Sequence, residues 1–205
     1  MEEMERAIPR ATVGRLPRYL RCLEETDRST ISSSEIATAA GVESAQVRRD
    51  LSYLGSIGTR GVGYDVSRLR AQISLLLGLA GPVRVAIIGA GNLGQALAGY
   101  AGFGAAGFEV VGLYDKDLRK VGRTVHGQPV HPIDRLEADA GAGLFEIAII
   151  ATPAEVAAGI VVKLSNAGVR SILNFAPATV KAPSGVEVRT VDLSTELQIL
   201  SFYRR

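Results

Sequence analysis

Gly89, Ala90, Gly91, Asn92, Leu93 and Gly94, with Asp115 after them, are the residues whose types and spacing most directly imply chemistry. Gly89 allows a tight turn out of a strand, Gly91 lets backbone come close to a pyrophosphate, and Gly94 lets a helix pack against a sheet with its first N–H groups facing the phosphates. Asp115 supplies a carboxylate that can accept from both ribose hydroxyls of an adenosine. It lies 26 residues after Gly89, a little beyond the usual spacing of about 20, and the glycine-rich insert 102–107 accounts for the excess. Asp115 favours NAD(H) over NADP(H), because it repels a 2′-phosphate while accepting from a free diol. Lys116 and Arg119 work against that preference if either turns toward a phosphate. A degenerate unit that binds nothing, or another nucleotide, fits the same glycines.

The elements around these residues match that chemistry on both sides. An apolar run over 83–88 reads as a buried strand, a helix opens at Asn92, and a second apolar run over 110–114 ends at Asp115. A short strand over 127–130, a helix over about 132–140 and a buried strand over 147–151 follow. Loops at strand C-termini in an open parallel sheet face the ligand, so Thr152 and Pro153 are candidate contacts for the ribose or nicotinamide end. Asn174, Phe175 and Ala176, after a strand over 171–173, form a second such loop. A helix N-cap and a turn proline would look the same. A last strand over 186–191 leads to Asp192, which can cap a strongly apolar closing helix ending at Arg205, and so much apolar surface on a short helix needs a partner.

Ahead of Gly81-Pro82 the pattern changes. Residues 11–25 place Val13, Leu16, Leu20 and Leu23 at helical spacing, with Pro17 disturbing the early turns. Ser32-Ser33-Ser34-Glu35 is a capping-box signal before a helix over 36–40, which Gly41 stops. Ser44 can cap a third helix over 45–54, and Val66 opens a fourth. Two short helices meeting at a glycine suggest a helix-turn-helix, although an ordinary helical hairpin has the same spacing. The outer face of the third helix offers Ser44, Gln46, Arg48, Arg49 and Tyr53, donors and a ring that can reach phosphates and base edges. The stretch 57–64 reads as a wing with Arg60 at its tip, beside a sugar-phosphate backbone, or as a plain glycine turn with a solvated arginine.

Composition bounds the remaining possibilities. The chain has 205 residues, 47% hydrophobic and 21% charged, with net charge +2, which suits one or two globular domains. From Arg6 to Ala80 there are eleven arginines, seven acids and no lysine, a mild basic bias compatible with nucleic acid. No apolar run reaches the ~18 residues of a membrane span and the N-terminus is charged, so a cytoplasmic location is expected. One cysteine, Cys22, excludes an internal disulfide, and two histidines, His126 and His131, are too few to suggest zinc, so no metal is expected. Cys22 falls within a helical pattern, which favours packing over redox chemistry.

With both halves in view, the whole chain resembles the redox-sensing transcriptional repressor family called Rex. The resemblance rests on residues 8–12, 15–17, 45–53, 61–64, 89–94 and 174–177, and on Asp192-Leu193 with Glu196-Leu197. It implies a homodimer that binds a palindromic double-stranded operator, is released by NADH, and sees NAD+ as the competing effector. It further implies that the last helix is exchanged between subunits, and that Arg15, Tyr100 and Asp192 connect the cofactor site to domain orientation. In that scheme Arg15 pairs with Asp192 in one of two arrangements, with the Tyr100 hydroxyl able to bond to Asp192; in the alternative, Asp192 only caps its helix, Tyr100 only packs and Arg15 is solvated. The end at Arg205 is short for the family, which leaves two readings open: a truncated sequence or a brief exchanged helix.

The expected fold class is therefore α/β: a winged-helix domain over 1–80, a Rossmann-type parallel sheet over 83–191 and a dimerisation helix over 192–205. Two other functions use the same nucleotide unit. An NAD-dependent oxidoreductase needs a substrate domain, yet only 53 residues follow Thr152, and His126 and His131 fall in a connection, away from a strand C-terminus. No catalytic residue is assigned. A coenzyme A-binding module would bring a 3′-phosphate where Asp115 favours a free diol.

Overall fold

The structure, a computed structural model, describes residues 8–55, 58–59 and 61–204. Ile57 and Arg60 of the expected wing lie outside the described residues. Between Gly81 and Pro82 the chain divides into two compact units.

The first unit begins with α1 (Arg10–Val13) and α2 (Leu16–Glu24), where one helix was expected. The break falls at Gly14 and Arg15. Pro17 occupies the first turn of α2, where a missing N–H costs nothing. Next come β1 (Thr30–Ile31), α3 (Ser33–Ala40) and α4 (Ser44–Ser52). The capping box forms as expected: Ser32 accepts from the Glu35 N–H, and Glu35 accepts in return from the Ser32 N–H. Gly41, at φ 67°, makes the turn into α4. Ser44 does not cap α4; Glu43 holds that position, without a side-chain cap bond, and Ser44 is the first helical residue. β2 (Gly58–Thr59) and β3 (Gly63–Asp65) form the hairpin, and β1 pairs with β3 on its other side. α5 (Val66–Leu76) closes the unit, capped by Asp65. Leu16, Tyr19, Leu23, Ile36, Val47, Leu51 and Ile73 are buried together, so α2, α3, α4 and α5 share one core.

The second unit is a seven-stranded sheet in the order β10-β9-β8-β4-β5-β7-β6. Its strands are β4 (Val83–Ile88), β5 (Phe108–Asp115), β6 (Thr124–Val125), β7 (Gln128–Pro132), β8 (Ile147–Ile150), β9 (Ser171–Asn174) and β10 (Glu187–Thr190). All neighbours are parallel except β6, an antiparallel edge hairpin on β7. Its turn uses His126 and Gly127, both at positive φ, the geometry a two-residue hairpin requires. His131 belongs to β7, next to that strand's C-terminal end, and not to a connection as expected; its ring lies 5.3 Å from that of Tyr114. Alternation along β4 sends Ala86 and Ile88 to one face, and Val85 and Ile87 to the other. The first face is covered by α8 (Leu136–Gly141) and α9 (Ala154–Asn166).

The helix that opens at Asn92 is short. α6 spans Asn92–Ala98, and the glycine-rich insert folds as α7 (Ala101–Ala105) with Tyr100 at its cap. α10 (Leu193–Phe202) closes the chain, capped by Asp192 and with no residue buried.

Candidate functional site

Strand order places a crevice in the second unit. From β4 the chain runs to β5 and β7 on one side, then returns to β8 and runs to β9 and β10 on the other. Ligands in such sheets lie beyond the strand C-termini where the order reverses, here between β4 and β8. The loops there are fixed by backbone bonds: Gly89 N–H to Tyr114 O at 2.7 Å, Ala151 N–H to Ile88 O at 2.8 Å, and Phe175 N–H to Ile150 O at 2.8 Å.

Three glycines have three different physical reasons. Gly89 is at φ 106°, and a Cβ there would lie 2.5 Å from the Ala151 carbonyl oxygen. Gly94 is buried in the first turn of α6, where a Cβ would collide with the Gly89 carbonyl. Gly91 is at an ordinary φ of −79°, and a Cβ there would meet nothing within 4 Å. The first two protect the fold; the third leaves room in front of the turn.

Asp115, at the end of β5, is buried. Its Oδ2 accepts from the Ala90 N–H at 2.8 Å and from Lys120 Nζ at 3.0 Å, and its Oδ1 accepts from the Asp117 N–H at 2.8 Å. Burial would raise its pKa, but the Asp117 N–H, Lys120 and the Ala90 N–H together hold it below the usual carboxylate range. Lys120 was not anticipated from the sequence; its only signal is a lysine five residues past the acid. Lys116 is exposed, and Arg119 is turned onto Asp117 by a two-pronged bond.

Asn92 and Leu93 are exposed at the start of α6. Thr152 follows β8 with its Oγ1 buried and without a hydrogen-bond partner among the described residues. Its methyl lies 3.2 Å from where a Gly89 Cβ would stand, which puts the orphan hydroxyl beside the glycine turn. Pro153 caps α9. Asn174 is fully buried and spent on its own loop: its Oδ1 accepts from the Ala176 N–H, and its Nδ2 donates to the carbonyls of Ala176 and Ala178. It shapes the 174–178 loop, in which Phe175 is half-buried and Ala176 buried.

On the first unit, α4 turns Arg48 and Arg49 to solvent, while Ser44, Gln46 and Tyr53 are half-buried. Arg48 reaches Ser33 Oγ at 3.1 Å and Ser44 Oγ at 3.4 Å, linking α4 to α3. Behind that face lies Asp50, fully buried and absent from the sequence-based candidates. Its carboxylate accepts five hydrogen bonds: from Thr12 Oγ1, Arg15 Nε and an Arg15 terminal nitrogen, the Tyr19 hydroxyl and Gln46 Nε2. Burial opposes the charge, but Arg15, Tyr19, Gln46 and Thr12 outweigh it and hold the pKa at about 2. The bonds to Asp50 raise Arg15, and burial followed by the bond to Asp50 pushes the Tyr19 hydroxyl up to about 12.

The three expected coupling residues each have a local environment. Arg15 forks onto Asp50, with Nε–Oδ2 at 2.6 Å. Tyr100 is exposed and stands edge-on to Phe103 at 5.2 Å. Asp192 caps α10, accepting from the Ser194 N–H at 2.9 Å, the Thr195 N–H at 3.4 Å and the Thr195 hydroxyl at 2.8 Å. Among the described residues no group of three or more His, Cys, Asp or Glu is placed to hold a metal ion, and no helix is long and apolar enough to cross a membrane.

A winged-helix unit followed by a Rossmann unit with a glycine-turn crevice defines a two-domain DNA-binding regulator fold. Comparison with known proteins agrees with both halves. The family described as "Putative DNA-binding protein N-terminus" matches residues 7–52, and the family described as "CoA binding domain" matches residues 81–178. The redox-sensing transcriptional repressor Rex of Streptomyces avermitilis is 53% identical over 98% of this chain and 81% of its own length. Among solved structures, RSP in complex with β-NAD+ and operator DNA superposes with a TM-score of 0.88 at 36% identity, covering 96% of this chain and 92% of that one. RSP in complex with β-NADH gives 0.83 at 34% identity, over 96% and 94%. The chain belongs to the Rex family of redox-sensing transcriptional repressors.

Proposed function

We propose that the chain is a transcriptional repressor that binds a palindromic double-stranded operator as a homodimer, is released by NADH, and sees NAD+ as the competing effector. The observation that carries this reading is the presence, in one chain, of an exposed recognition-helix face and a glycine turn left open at Gly91. The complexes of RSP with operator DNA and with both cofactor forms support it. Relatives named as repressors also support a regulator and not an enzyme. Its place of action is the cytoplasm, with no membrane partner.

The residues fit a dinucleotide. Gly89, Ala90, Gly91, Asn92, Leu93 and Gly94 form the cradle, and a side chain at Gly91 would fill the space a pyrophosphate needs. Asp115 has one unused acceptor site on Oδ1 and gains more if Lys120 swings away, so it can take the ribose diol. Lys116 borders it. Thr152 offers its orphan hydroxyl, with Pro153, Asn174, Phe175 and Ala176 forming the far wall. When bound, the cofactor supplies a nicotinamide ring whose charge differs by one between its two forms. The protein's part is to hold that ring where the difference biases two dimer arrangements, through Arg15, Tyr100 and Asp192.

On DNA, Ser44, Gln46, Arg48, Arg49 and Tyr53 face the major groove and Arg60 the backbone. The domain limits follow that division: 1–80 for DNA, 83–191 for cofactor and 192–205 for dimerisation. The closing helix packs on a second copy. Its Leu197, Leu200 and Phe202 are more than 60% exposed, and ten residues make too few turns to persist alone. The same unit has an apolar groove of about 350 Å³ lined by Val85, Phe103, Phe108, Ile147, Ile149 and Leu173, on the sheet face opposite α8 and α9. That groove suits an apolar helix better than a nucleotide.

A coenzyme A reading is favoured by the match over 81–178. It places a 3′-phosphate against the carboxylate of Asp115, which counts against it. Titrating the protein on a palindromic probe with NADH, NAD+, NADPH and coenzyme A at fixed salt tests both readings. Release by NADH alone is expected. Release by coenzyme A, or by nothing, overturns the proposal.

A further inference from the structure

The buried carboxylate of Asp50 carries a consequence for base recognition. We propose that Asp50 is a specificity-determining residue: it fixes the Gln46 amide so that Gln46 presents its carbonyl oxygen and one remaining N–H outward, the pair that matches the N6 amine and N7 of adenine in the major groove. The inference rests on the repressor reading above.

Gln46 is the third residue of α4 and Asp50 stands one turn later on the same face. Gln46 Nε2 lies 2.9 Å from Asp50 Oδ1. Side-chain amides are normally ambiguous between two orientations. A carboxylate resolves the ambiguity, because an ionised carboxylate only accepts and a flipped amide would set two oxygens against each other. Nor can the carboxylate turn aside. Thr12 and Tyr19 bond to its two oxygens, one to each, and Arg15 bonds to both, all from α1, α2 and the break between them.

One amide hydrogen of Gln46 is therefore committed inward. The other, with Oε1, is left for a ligand. Gln46 Oε1 has no hydrogen bond among the described residues, and it is not one of the buried atoms left without a partner, so it meets solvent. Position suits the task as well: the first turns of a recognition helix are the part that reaches base edges. Glutamine with a free oxygen and a free N–H pairs in bidentate fashion with adenine. Thr12, Arg15 and Tyr19 would suffice to anchor α4; of the five bonds, the one from Gln46 is the one made by a residue of α4 itself, in that helix's first turn.

The test replaces each operator adenine in turn by purine, which lacks the N6 amine but keeps N7, and each cytosine by 2-pyrimidinone, which lacks the N4 amine. Affinities are measured for the full-length wild type, Gln46→Ala and Asp50→Asn, with thermal unfolding and random-duplex affinity as controls. In the wild type one adenine per half-site should lose about 5- to 150-fold on replacement. Gln46→Ala should show no further loss at that base. Asp50→Asn, which can hold the amide either way round, should bind random duplex normally and discriminate less at that same base. Thr12→Val should lose stability with discrimination intact, which separates anchoring from reading. If Asp50→Asn does not fold, the cycle between Gln46→Ala and the purine probe decides. Equal purine penalties in wild type and Gln46→Ala, undiminished discrimination at that base in folded Asp50→Asn, or a dependence on a cytosine amine, overturn the proposal. A wild type that does not prefer operator over random duplex defeats the repressor reading itself.

Discussion

The Ala90 N–H donates to Asp115 Oδ2 at 2.8 Å, so the acid at the end of β5 holds the glycine turn at the end of β4. The carboxylate that suits a ribose is thus also a strut of the turn that suits a pyrophosphate. Asp115→Ala is expected to weaken NADH binding at least about tenfold, by losing the diol and loosening the turn together. NADPH should lose less, because the substitution removes a negative charge and releases Lys120 toward a 2′-phosphate. Lys120→Met should do the opposite and widen the preference for NADH. Calorimetric titration of both cofactors against both variants decides the matter. Equal losses for NADH and NADPH in Asp115→Ala would mean that the carboxylate does not read the ribose.

Gly91 and Gly94 separate binding from folding. At Gly91 a methyl meets no protein atom and no positive φ is involved, so Gly91→Ala should unfold within a degree or two of the wild type. Its NADH affinity should nevertheless fall at least about tenfold, since the methyl occupies the approach to the turn. Gly94→Ala places its methyl against the Gly89 carbonyl and should yield little folded protein. Unimpaired cofactor binding by Gly91→Ala would remove the pyrophosphate from this turn.

Contacts to DNA should divide by class. Arg60→Ala is expected to lower affinity for all duplexes alike and reduce the salt slope by about one unit, the signature of a phosphate contact. If Arg48 or Arg49 reads guanine, its loss should cost about 1–3 kcal/mol and relax preference at one operator position. Arg48 is also tied to Ser33 and Ser44, so Arg48→Ala should additionally loosen α4 against α3. A binding curve left unchanged by the Arg48→Ala, Arg49→Ala double variant would refute the recognition-helix assignment.

Asp50 makes the first unit acid-sensitive. Its pKa falls from 3.8 to about 2 on folding, so its stabilisation, roughly 2 kcal/mol, is complete above about pH 4 and is lost as the pH drops through about 2. Chemical denaturation between pH 5 and 2 should show a steeper loss of stability in the wild type than in Asp50→Asn. At neutral pH, Asp50→Ala should cost about 3–5 kcal/mol because Arg15, Thr12 and Tyr19 are left without their acceptor. Parallel pH profiles for wild type and Asp50→Asn would assign the acid sensitivity elsewhere.

What the sequence made legible is what strong local patterns encode. The strand, glycine turn, helix, strand and acid of 83–115 are read by apolar runs and by the special needs of glycine, and the Ser32/Glu35 box by its spacing. β1 and β6, two residues each, are too short to carry any periodicity. The insert 102–107 is rich in glycine, a poor helix former, yet Phe103 packs against the sheet and residues 101–105 are helical. Asp50 escaped notice for a different reason: in sequence it is one acid on a polar helix. Only the meeting of α1 and α2 with α4 brings Thr12, Arg15 and Tyr19, 31 to 38 residues away, onto its carboxylate. Lys120 escaped likewise, since nothing local says which of three cations after Asp115 turns inward.

Arg15 and Asp192 both have other partners in this structure. Arg15 is bonded to Asp50, and Asp192 caps α10. For an Arg15–Asp192 pair to form in one of two dimer arrangements, Arg15 must leave Asp50 or share its fork, and Asp192 must spare an oxygen from its cap. The cap and the charge can be parted by chemistry. Asn and Ser cap helix N-termini about as well as Asp, while Ala loses roughly 1 kcal/mol of cap. Asp192→Asn and Asp192→Ser should therefore keep α10 and lose any ion pair, whereas Asp192→Ala loses both. Coupling is reciprocal and typically about 1–3 kcal/mol, so operator DNA must weaken NADH binding by the factor by which NADH weakens DNA binding. Both factors should be measured in the wild type and the three variants, with circular dichroism to follow the helix. If the charge carries the switch, Asp192→Asn will bind each ligand alone nearly as the wild type does but with coupling collapsed toward one. If Asp192→Asn retains full coupling and only Asp192→Ala loses it, the residue acts as a cap, and the arrangement is read by the packing of α10.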